Sequence, residues 1–265
     1  MRFVERLRAR CEVLGALCVG IDPHPRVLEA WGVSQDVRGA ELVARTIVED
    51  LGDMVAVFKP QSAFFERWGS AGVAVLERCV ADVRSAGGLV ILDVKRGDIG
   101  TTMAAYAAAY LGDGPLAVDA ITASPYLGFG SLVPAIELAE ANDRGVFVLA
   151  RTSNPEGGTV QLADVDGRTV AQTIVDHAVT ANWMSGVDAV GLVVGGTRTD
   201  PGVDLSEFTG AVLVPGIGAQ GGTVQGVRTA FAGTSALVLP AVSREVLYQG
   251  PGTTALRDAV ARLLA

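Results

Sequence analysis

Eight short apolar runs recur along the chain, and each is separated from the next by a stretch long enough for a helix. They are residues 17–22, 55–60, 88–95, 117–124, 145–152, 188–195, 211–218 and 235–242. The runs are continuous rather than alternating, which is typical of parallel strands buried on both faces. Ala-rich amphipathic segments lie between them, at 40–51, 71–85, 103–110, 132–141, 170–184 and 222–232. Eight alternations of strand and helix predict an α/β protein with a closed (β/α)8 architecture, a TIM barrel.

The residues at the ends of the runs favour a barrel over a doubly wound open sheet, which would show the same alternation. The carboxyl-terminal rim carries the chemistry in barrels. Here the residues at the run ends are Asp22, Lys59, Asp93, Lys95, Ser124, Ser153, Gly195 and Gly218. No low-complexity tract divides the chain, so we expect a single domain over residues 1–265. The Gly, Asp and Thr-rich stretch 195–210 is interpreted as a long strand-to-helix connection.

The charge balance limits the possible partners. The 265 residues include 21 Lys and Arg against 29 Asp and Glu, a net charge of −8. Binding to nucleic acids or anionic membranes requires many basic contacts, so we expect neither partner, and an anionic ligand needs a small local site. The three cysteines form no CxxC pair, which indicates neither a disulfide framework nor a zinc site. Residues 2–12 have an amphipathic pattern and no transmembrane-length run follows, so we expect a cytoplasmic protein.

The stretch 88–103, GLVILDVKRGDIGTTM, carries the strongest chemical signal. Asp93 and Lys95 are two residues apart at the end of a predicted strand, so their side chains project from one face, and Asp98 follows in the loop. Lys59 ends another predicted strand. Together the four residues form an alternating array in which a carboxylate presses on a substrate anion while an ammonium donates a proton. The simpler alternatives are a solvated turn with an incidental ion pair and, for Lys59, a rim lysine.

The run Asp93-x-Lys95-x-x-Asp98-Ile99-Gly100-x-Thr102 resembles the signature of the orotidine 5′-phosphate decarboxylase family. Six further segments resemble that family in the same order: CVGIDPHP, VFKPQSAFFE, ASPYLGFGSL, LARTSNPEG, VPGIGAQGG and LPAVSREVL. They span residues 18–247, and several resemble the longer bacterial subgroup. A D-x-K-x-x-D run alone is shared with related phosphosugar barrel enzymes, whereas the ordered set is specific.

The resemblance implies the roles of individual residues. The catalytic tetrad would be Lys59, Asp93, Lys95 and Asp98, with Lys95 protonating the C6 carbanion. In a homodimer with shared active sites, Asp98 would reach into the partner's site alongside Ile99 and Thr102. The remaining substrate-binding residues would be Asp22 and Lys59 at the ribose, Ser153 at the pyrimidine, and Gln220 and Arg244 at the 5′-phosphate, helped by backbone N–H groups near Gly218, Ser243 and Arg244. Pro215 would also belong to the substrate-binding set. Motif position favours Gln220 over Gln225, and Ser243 stands where the family more often has glycine.

The implied activity is the decarboxylation of orotidine 5′-monophosphate to UMP in de novo pyrimidine biosynthesis, with no metal and no organic cofactor. The nearest alternative is a metal-dependent phosphosugar aldolase or decarboxylase of the same barrel superfamily, using the aspartates around Mg²⁺. A Schiff-base aldolase using Lys95 and a non-catalytic nucleotide-binding module are further alternatives. The sequence GIGAQG at 216–221 matches G-x-G-x-x-G, but the next predicted strand lacks the acidic residue of a dinucleotide site. His24 and His177 are interpreted as structural or exposed.

Overall fold

The computed structural model describes residues 1–218 and 220–265. Its strands are β1 (Cys18–Ile21), β2 (Val57–Pro60), β3 (Leu89–Arg96), β4 (Ala120–Ala123), β5 (Gly145–Arg151), β6 (Asp164–Val165), β7 (Arg168–Thr169), β8 (Val190–Val194), β9 (Ala211–Val214) and β10 (Leu237–Val242). All but β6 and β7 form a closed parallel barrel in the order β1, β10, β9, β8, β5, β4, β3, β2. The closed barrel confirms the predicted (β/α)8 architecture and rules out the open doubly wound sheet.

The helices surround the barrel strands. They are α1 (Phe3–Leu14), α2 (Pro25–Ala30), α3 (Val37–Leu51), α4 (Ala63–Glu66), α5 (Gly69–Ser85), α6 (Gly100–Leu111), α7 (Val133–Ala141), α8 (Gly158–Gln161), α9 (Val170–Ser185), α10 (Val224–Ala230), α11 (Arg244–Leu247) and α12 (Thr253–Leu264). Short 3-10 helices cover Phe129–Leu132 and Pro155–Gly157. Each of the predicted helical segments overlaps an observed helix. Within the described residues, no helix is both long and apolar enough to span a bilayer.

One connection differs from the prediction. Residues 195–210 join β8 directly to β9, and no helix interrupts this stretch, all of which is described. Leu205 and Phe208 from this loop are instead buried in the apolar cluster on the outer face of the barrel. Elsewhere around the barrel, helices cover that face. Pro201 and Gly202 disfavour a helix, so the loop covers the sheet with individual side chains. The expected strand-to-helix connection was therefore wrong.

Helix α1 covers the amino-terminal end of the barrel. Its buried residues Phe3 and Leu7 belong to the same apolar cluster as Phe147, which faces the barrel interior from β5. Arg6 Nη1 lies 2.6 Å from Asp119 Oδ1, and the Arg10 side chain donates to the carbonyl of Ala56 at 2.9 Å. These contacts fix α1 across the barrel, so the opposite rim, at the carboxyl ends of the strands, is left for a ligand.

A structured insertion between β5 and α9, called the excursion below, was not predicted. It contains the second 3-10 helix, α8 and an antiparallel hairpin of β6 and β7. Asp166 and Gly167 occupy the turn with φ of 53° and 84°, as a two-residue type I′ turn requires. The excursion begins directly after Arg151, so it lies next to Ser153 at the rim.

Candidate active site

The carboxylate of Asp93, at the carboxyl-terminal part of β3, accepts hydrogen bonds from four side chains. Oδ1 accepts from Lys95 Nζ at 2.6 Å and from Thr122 Oγ1 at 2.8 Å. Oδ2 accepts from Lys59 Nζ at 3.1 Å and from Gln61 Nε2 at 2.9 Å. Asp93 is 7% exposed and Lys59 is 9% exposed. Because every partner donates, the carboxylate is held in its ionised form.

The ion pairs set the charge of this cluster. Burial by itself would raise the pKa of Asp93, but Lys59 and Lys95 hold that pKa well below its ordinary value of 3.8. Burial by itself would lower the pKa of Lys59, but Asp93 and Asp22 hold it above its ordinary value of 10.5. The two ammonium groups balance the carboxylates of Asp93 and Asp22, so the rim offers cations to an anionic ligand although the protein as a whole is acidic.

Lys95 reaches Asp93 from a bent part of the strand. Its φ is +44°, and the register between β3 and β4 shifts between Leu92 and Arg96. The Lys95 N–H donates to Thr122 Oγ1 at 2.9 Å. The Lys95 side chain is 47% exposed, against 11% for that of Lys59. The predicted contact between Lys95 and Asp93 is therefore present, but a bulged backbone makes it rather than a regular strand.

Asp98 lies apart from this cluster. Its Oδ1 accepts the Ile99 N–H at 2.8 Å, and none of the ion pairs among the described residues includes it. Ile99 is 62% exposed, and Thr102 is exposed one turn further along α6. The structure thus brings together three of the four predicted catalytic residues and leaves Asp98 outside the cluster of its own subunit.

Asp22 and Ser243 follow β1 and β10, the two strands that close the barrel. A Cβ added at Gly20 would lie 3.3 Å from Asp22 Oδ1 and 2.9 Å from Ser243 Cβ, so both side chains face the same point. Asp22 Oδ1 and Ser243 Oγ are buried, and neither has a hydrogen-bond partner among the described residues. Because buried polar atoms are normally paired, these two atoms are suited to bind a polar ligand group.

Ser153 lies in the loop after β5 and packs against the loop after β9. A Cβ added at Gly216 would lie 3.2 Å from Ser153 Cβ and 3.4 Å from Gln220 Oε1, and the Gly216 φ of +103° also disfavours a side chain. Pro215 accepts the Gly196 N–H at 2.8 Å in the same region. Gln220 is therefore near Ser153, whereas Gln225 lies on α10 with its side chain exposed.

Gly218 brings the loop after β9 against α11. Its φ is +71°, and a Cβ there would overlap the side chain of Glu245, the neighbour of Arg244. The two segments predicted to bind phosphate are therefore adjacent. The Gly218 N–H, however, donates to the carbonyl of Gly222 at 2.8 Å, so this amide is engaged within its own loop.

Sequence reasoning missed Thr122 and Gln61 as partners of Asp93. A signal for Thr122 was present, because it is a lone hydroxyl within the buried run of β4 and is 1% exposed. Gln61 was quoted as part of VFKPQSAFFE but not singled out. Thr122 lies within β4 and Gln61 directly follows β2, so each is a polar group beside buried strand residues and needs a partner.

The sequence of this chain is similar to those of known proteins. The family model described as the orotidine 5′-phosphate decarboxylase / HUMPS family matches residues 15–259. A protein of Salinispora tropica named orotidine 5′-phosphate decarboxylase is 58% identical over 266 residues, covering 99% of this chain and 96% of that protein. A Streptomyces coelicolor protein of the same name is 53% identical, covering 98% and 95%.

The fold is also similar to those of solved structures. A Streptomyces avermitilis crystal structure assigned as an orotidine 5′-phosphate decarboxylase has a TM-score of 0.94 at 53% identity, covering 99% of this chain and 93% of that one. The OMP decarboxylase of Leishmania donovani has a TM-score of 0.79 at 31% identity, covering 100% and 96%. The match over nearly the whole chain shows that this protein belongs to the orotidine 5′-phosphate decarboxylase / HUMPS family.

Proposed function

We propose that this enzyme decarboxylates orotidine 5′-monophosphate to UMP in de novo pyrimidine biosynthesis, without a metal or an organic cofactor. The observation that carries the proposal is the buried Asp93 carboxylate held between the Lys59 and Lys95 ammonium groups at the barrel rim. The proteins of Salinispora tropica and Streptomyces coelicolor that share most of this sequence carry the name of this activity.

The chemistry requires a cation beside C6. Breaking the bond between C6 and the carboxylate releases CO₂ and leaves an electron pair in an sp² orbital that the ring π system cannot delocalise. Lys95, the more exposed lysine of the cluster, stabilises this pair electrostatically and then transfers a proton from Nζ to C6. Asp93 stays ionised against the departing carboxylate and favours the transition state, in which that charge is lost.

The other predicted residues bind the rest of the nucleotide. We assign Asp22 and Lys59 to the ribose, since Asp22 lies close enough to Lys59 to raise the pKa of that lysine. Ser153 binds the pyrimidine. The 5′-phosphate is bound by Gln220 and Arg244, with Pro215, Gly218 and Ser243 in the adjoining segments. Phosphate binding is remote from C6, so its energy is available to drive closure of the loops around the substrate.

An absorbance assay tests this function. Loss of the orotate absorbance should proceed with orotidine 5′-monophosphate in excess EDTA at the same rate as without it. The metal-dependent alternative needs free carboxylate oxygens for Mg²⁺, whereas both oxygens of Asp93 accept bonds from ammonium groups and neutral donors. Activity that disappears in EDTA and returns with Mg²⁺ would contradict the cofactor-free mechanism.

The active sites are shared across a homodimer in this proposal. Among the described residues, Asp98 forms no ion pair with Lys59 or Lys95, and it is followed by the exposed Ile99. Tyr126 and Leu127, in the loop after the neighbouring strand β4, are 78% and 53% exposed. Exposed apolar side chains around a rim favour a subunit interface. Asp98, Ile99 and Thr102 of one subunit then complete the site of the other.

Complementation tests the shared site. Lys95→Ala and Asp98→Ala chains should each be inactive alone, while a mixed dimer has one intact site. Random exchange makes half of the dimers mixed, so activity should return to roughly a quarter of the wild-type value. The measurement is the decarboxylation rate after exchange, and native mass spectrometry verifies that mixed dimers have formed. Mixed dimers without activity would contradict the proposal.

We also infer that the enzyme acts in the cytoplasm. Cys11, Cys18 and Cys79 are free and buried, as expected where thiols stay reduced. Burial raises the pKa of Cys11 to about 11 and that of Cys79 to about 12, so both thiols are unreactive near neutral pH.

A further inference from the structure

We propose that Thr122 is a positioning residue that fixes the Asp93 carboxylate relative to the backbone of Lys95. This inference rests on the proposed function of the cluster. Thr122 lies on β4, next to β3 in the barrel, and is 1% exposed. Its hydroxyl is hydrogen-bonded both to the backbone of Lys95 and to the side chain of Asp93.

The direction of both hydrogen bonds follows from their chemistry. A backbone N–H can only donate, so Thr122 Oγ1 accepts from Lys95 N at 2.9 Å. The hydroxyl therefore has its own hydrogen free, and Asp93 Oδ1, a carboxylate acceptor at 2.8 Å, receives it. A single orientation of the Thr122 hydroxyl therefore makes both hydrogen bonds.

The backbone of Lys95 needs such a restraint. Its φ of +44° is in the left-handed region, which costs free energy for a residue with a side chain and persists where surrounding contacts fix it. The bond from Lys95 N to Thr122 is one such contact. Arg96 supplies another, because its carbonyl accepts the Ser124 N–H at 2.8 Å. Thr122 thereby helps to hold the bulge from which the Lys95 side chain extends.

Thr122 also keeps Asp93 in place during the reaction. Asp93 Oδ1 has two donors, Lys95 and Thr122. When Lys95 Nζ turns from Asp93 towards C6, the Thr122 hydroxyl remains on Oδ1, while Lys59 and Gln61 remain on Oδ2. The carboxylate then keeps its orientation towards the departing CO₂ while the lysine acts as the acid.

The Thr122→Val and Thr122→Ser variants separate the hydroxyl from the shape of the side chain. Valine keeps the branched shape, so kcat should fall about 10- to 100-fold, the factor expected when buried hydrogen-bonding groups lose their partner. KM and the affinity for UMP should stay within about twofold of wild type, because the proposed ribose, pyrimidine and phosphate contacts lie elsewhere. Thr122→Ser keeps the hydroxyl and should recover most of kcat. Thr180→Val, which removes a helix-surface hydroxyl, is the control and should change nothing.

Amide hydrogen exchange gives a readout that does not depend on activity. The Lys95 amide should exchange faster in Thr122→Val and at the wild-type rate in Thr122→Ser. Equal loss of kcat in both variants, unchanged kcat in Thr122→Val, or unchanged Lys95 exchange would overturn the role of Thr122. A wild-type enzyme that does not act on orotidine 5′-monophosphate would overturn the proposed function instead, and the exchange experiment would still test the contact between Thr122 and Lys95.

Discussion

Replacing Lys95 with alanine should lower the rate of decarboxylation by about 10⁴-fold or more, because one side chain supplies both the proton and the electrostatic stabilisation of the C6 carbanion. The remaining cation of the cluster, Lys59, is more deeply buried and stays paired with Asp93 Oδ2. It therefore cannot replace Lys95 at C6. The measurement is kcat from the loss of orotate absorbance at saturating substrate.

The fold should tolerate this change. Asp93 keeps Lys59, Thr122 and Gln61 as donors when Lys95 is removed, and the Lys95 side chain is only about half buried. The thermal midpoint of Lys95→Ala should therefore stay close to that of wild type. Arg244→Ala is the comparison variant, which should mainly raise KM, since Arg244 contacts the phosphate in the proposed complex. Substantial turnover by a folded Lys95→Ala enzyme would contradict the assignment of the acid.

Replacing Asp93 with asparagine should both inactivate and destabilise the enzyme. The change removes the carboxylate that pairs directly with the buried Lys59 ammonium, at nearly unchanged side-chain volume. Breaking a buried ion pair on one side costs about 3–5 kcal/mol, or a fall in Tm of roughly 6–20 °C for a chain of this size. Calorimetry of the variant and of wild type measures this difference.

The pH dependence of that difference follows from the two pKa shifts. The folded pKa of Asp93 lies below its ordinary value of 3.8, so its stabilisation is present above 3.8 and is lost as the pH falls. The folded pKa of Lys59 lies above its ordinary value of 10.5, so its stabilisation is present below 10.5 and is lost as the pH rises. The difference in stability between wild type and Asp93→Asn should therefore be constant between pH 3.8 and pH 10.5 and should shrink below pH 3.8.

Asp53→Asn is a matched control for this experiment. Asp53 also pairs with a basic residue, Arg257, at 2.7 Å, but its side chain is 68% exposed. Exposed ion pairs contribute about 0–1 kcal/mol, so this variant should lose little stability and no activity. Equal destabilisation by Asp93→Asn and Asp53→Asn would show that burial does not determine how much the Asp93 ion pair contributes to stability.

The sequence predicted the barrel because its strands are buried on both faces and form continuous apolar runs. It failed at residues 195–210, where Leu205 and Phe208 cover the sheet without helical periodicity. It also missed the hairpin around Asp166 and Gly167, whose strands are mostly exposed and only two residues long, so that they carry no apolar pattern.

Prediction of the site succeeded where charged residues interrupt apolar runs. Asp93, Lys95 and Lys59 could be grouped because adjacent strand ends meet at one rim. Thr122 is an uncharged residue inside an apolar run, so it does not interrupt the pattern. The left-handed φ of Lys95 could not be predicted from the residue types around it. Whether Asp98 contacts the cluster depends on the backbone path after β3 and on subunit contacts, neither of which a pattern of residue types specifies.

The pairing of β1 with β10 has a consequence for folding. Asp93, Lys59 and Thr122 lie on the contiguous strands β2, β3 and β4, so their contacts can form before the carboxyl-terminal half of the chain is synthesised. Asp22 and Ser243 meet only when the last strand reaches the first, a contact of high sequence separation that is slow to form. During synthesis, the hydrogen bonds around Asp93 can therefore form before Asp22 and Ser243 come together.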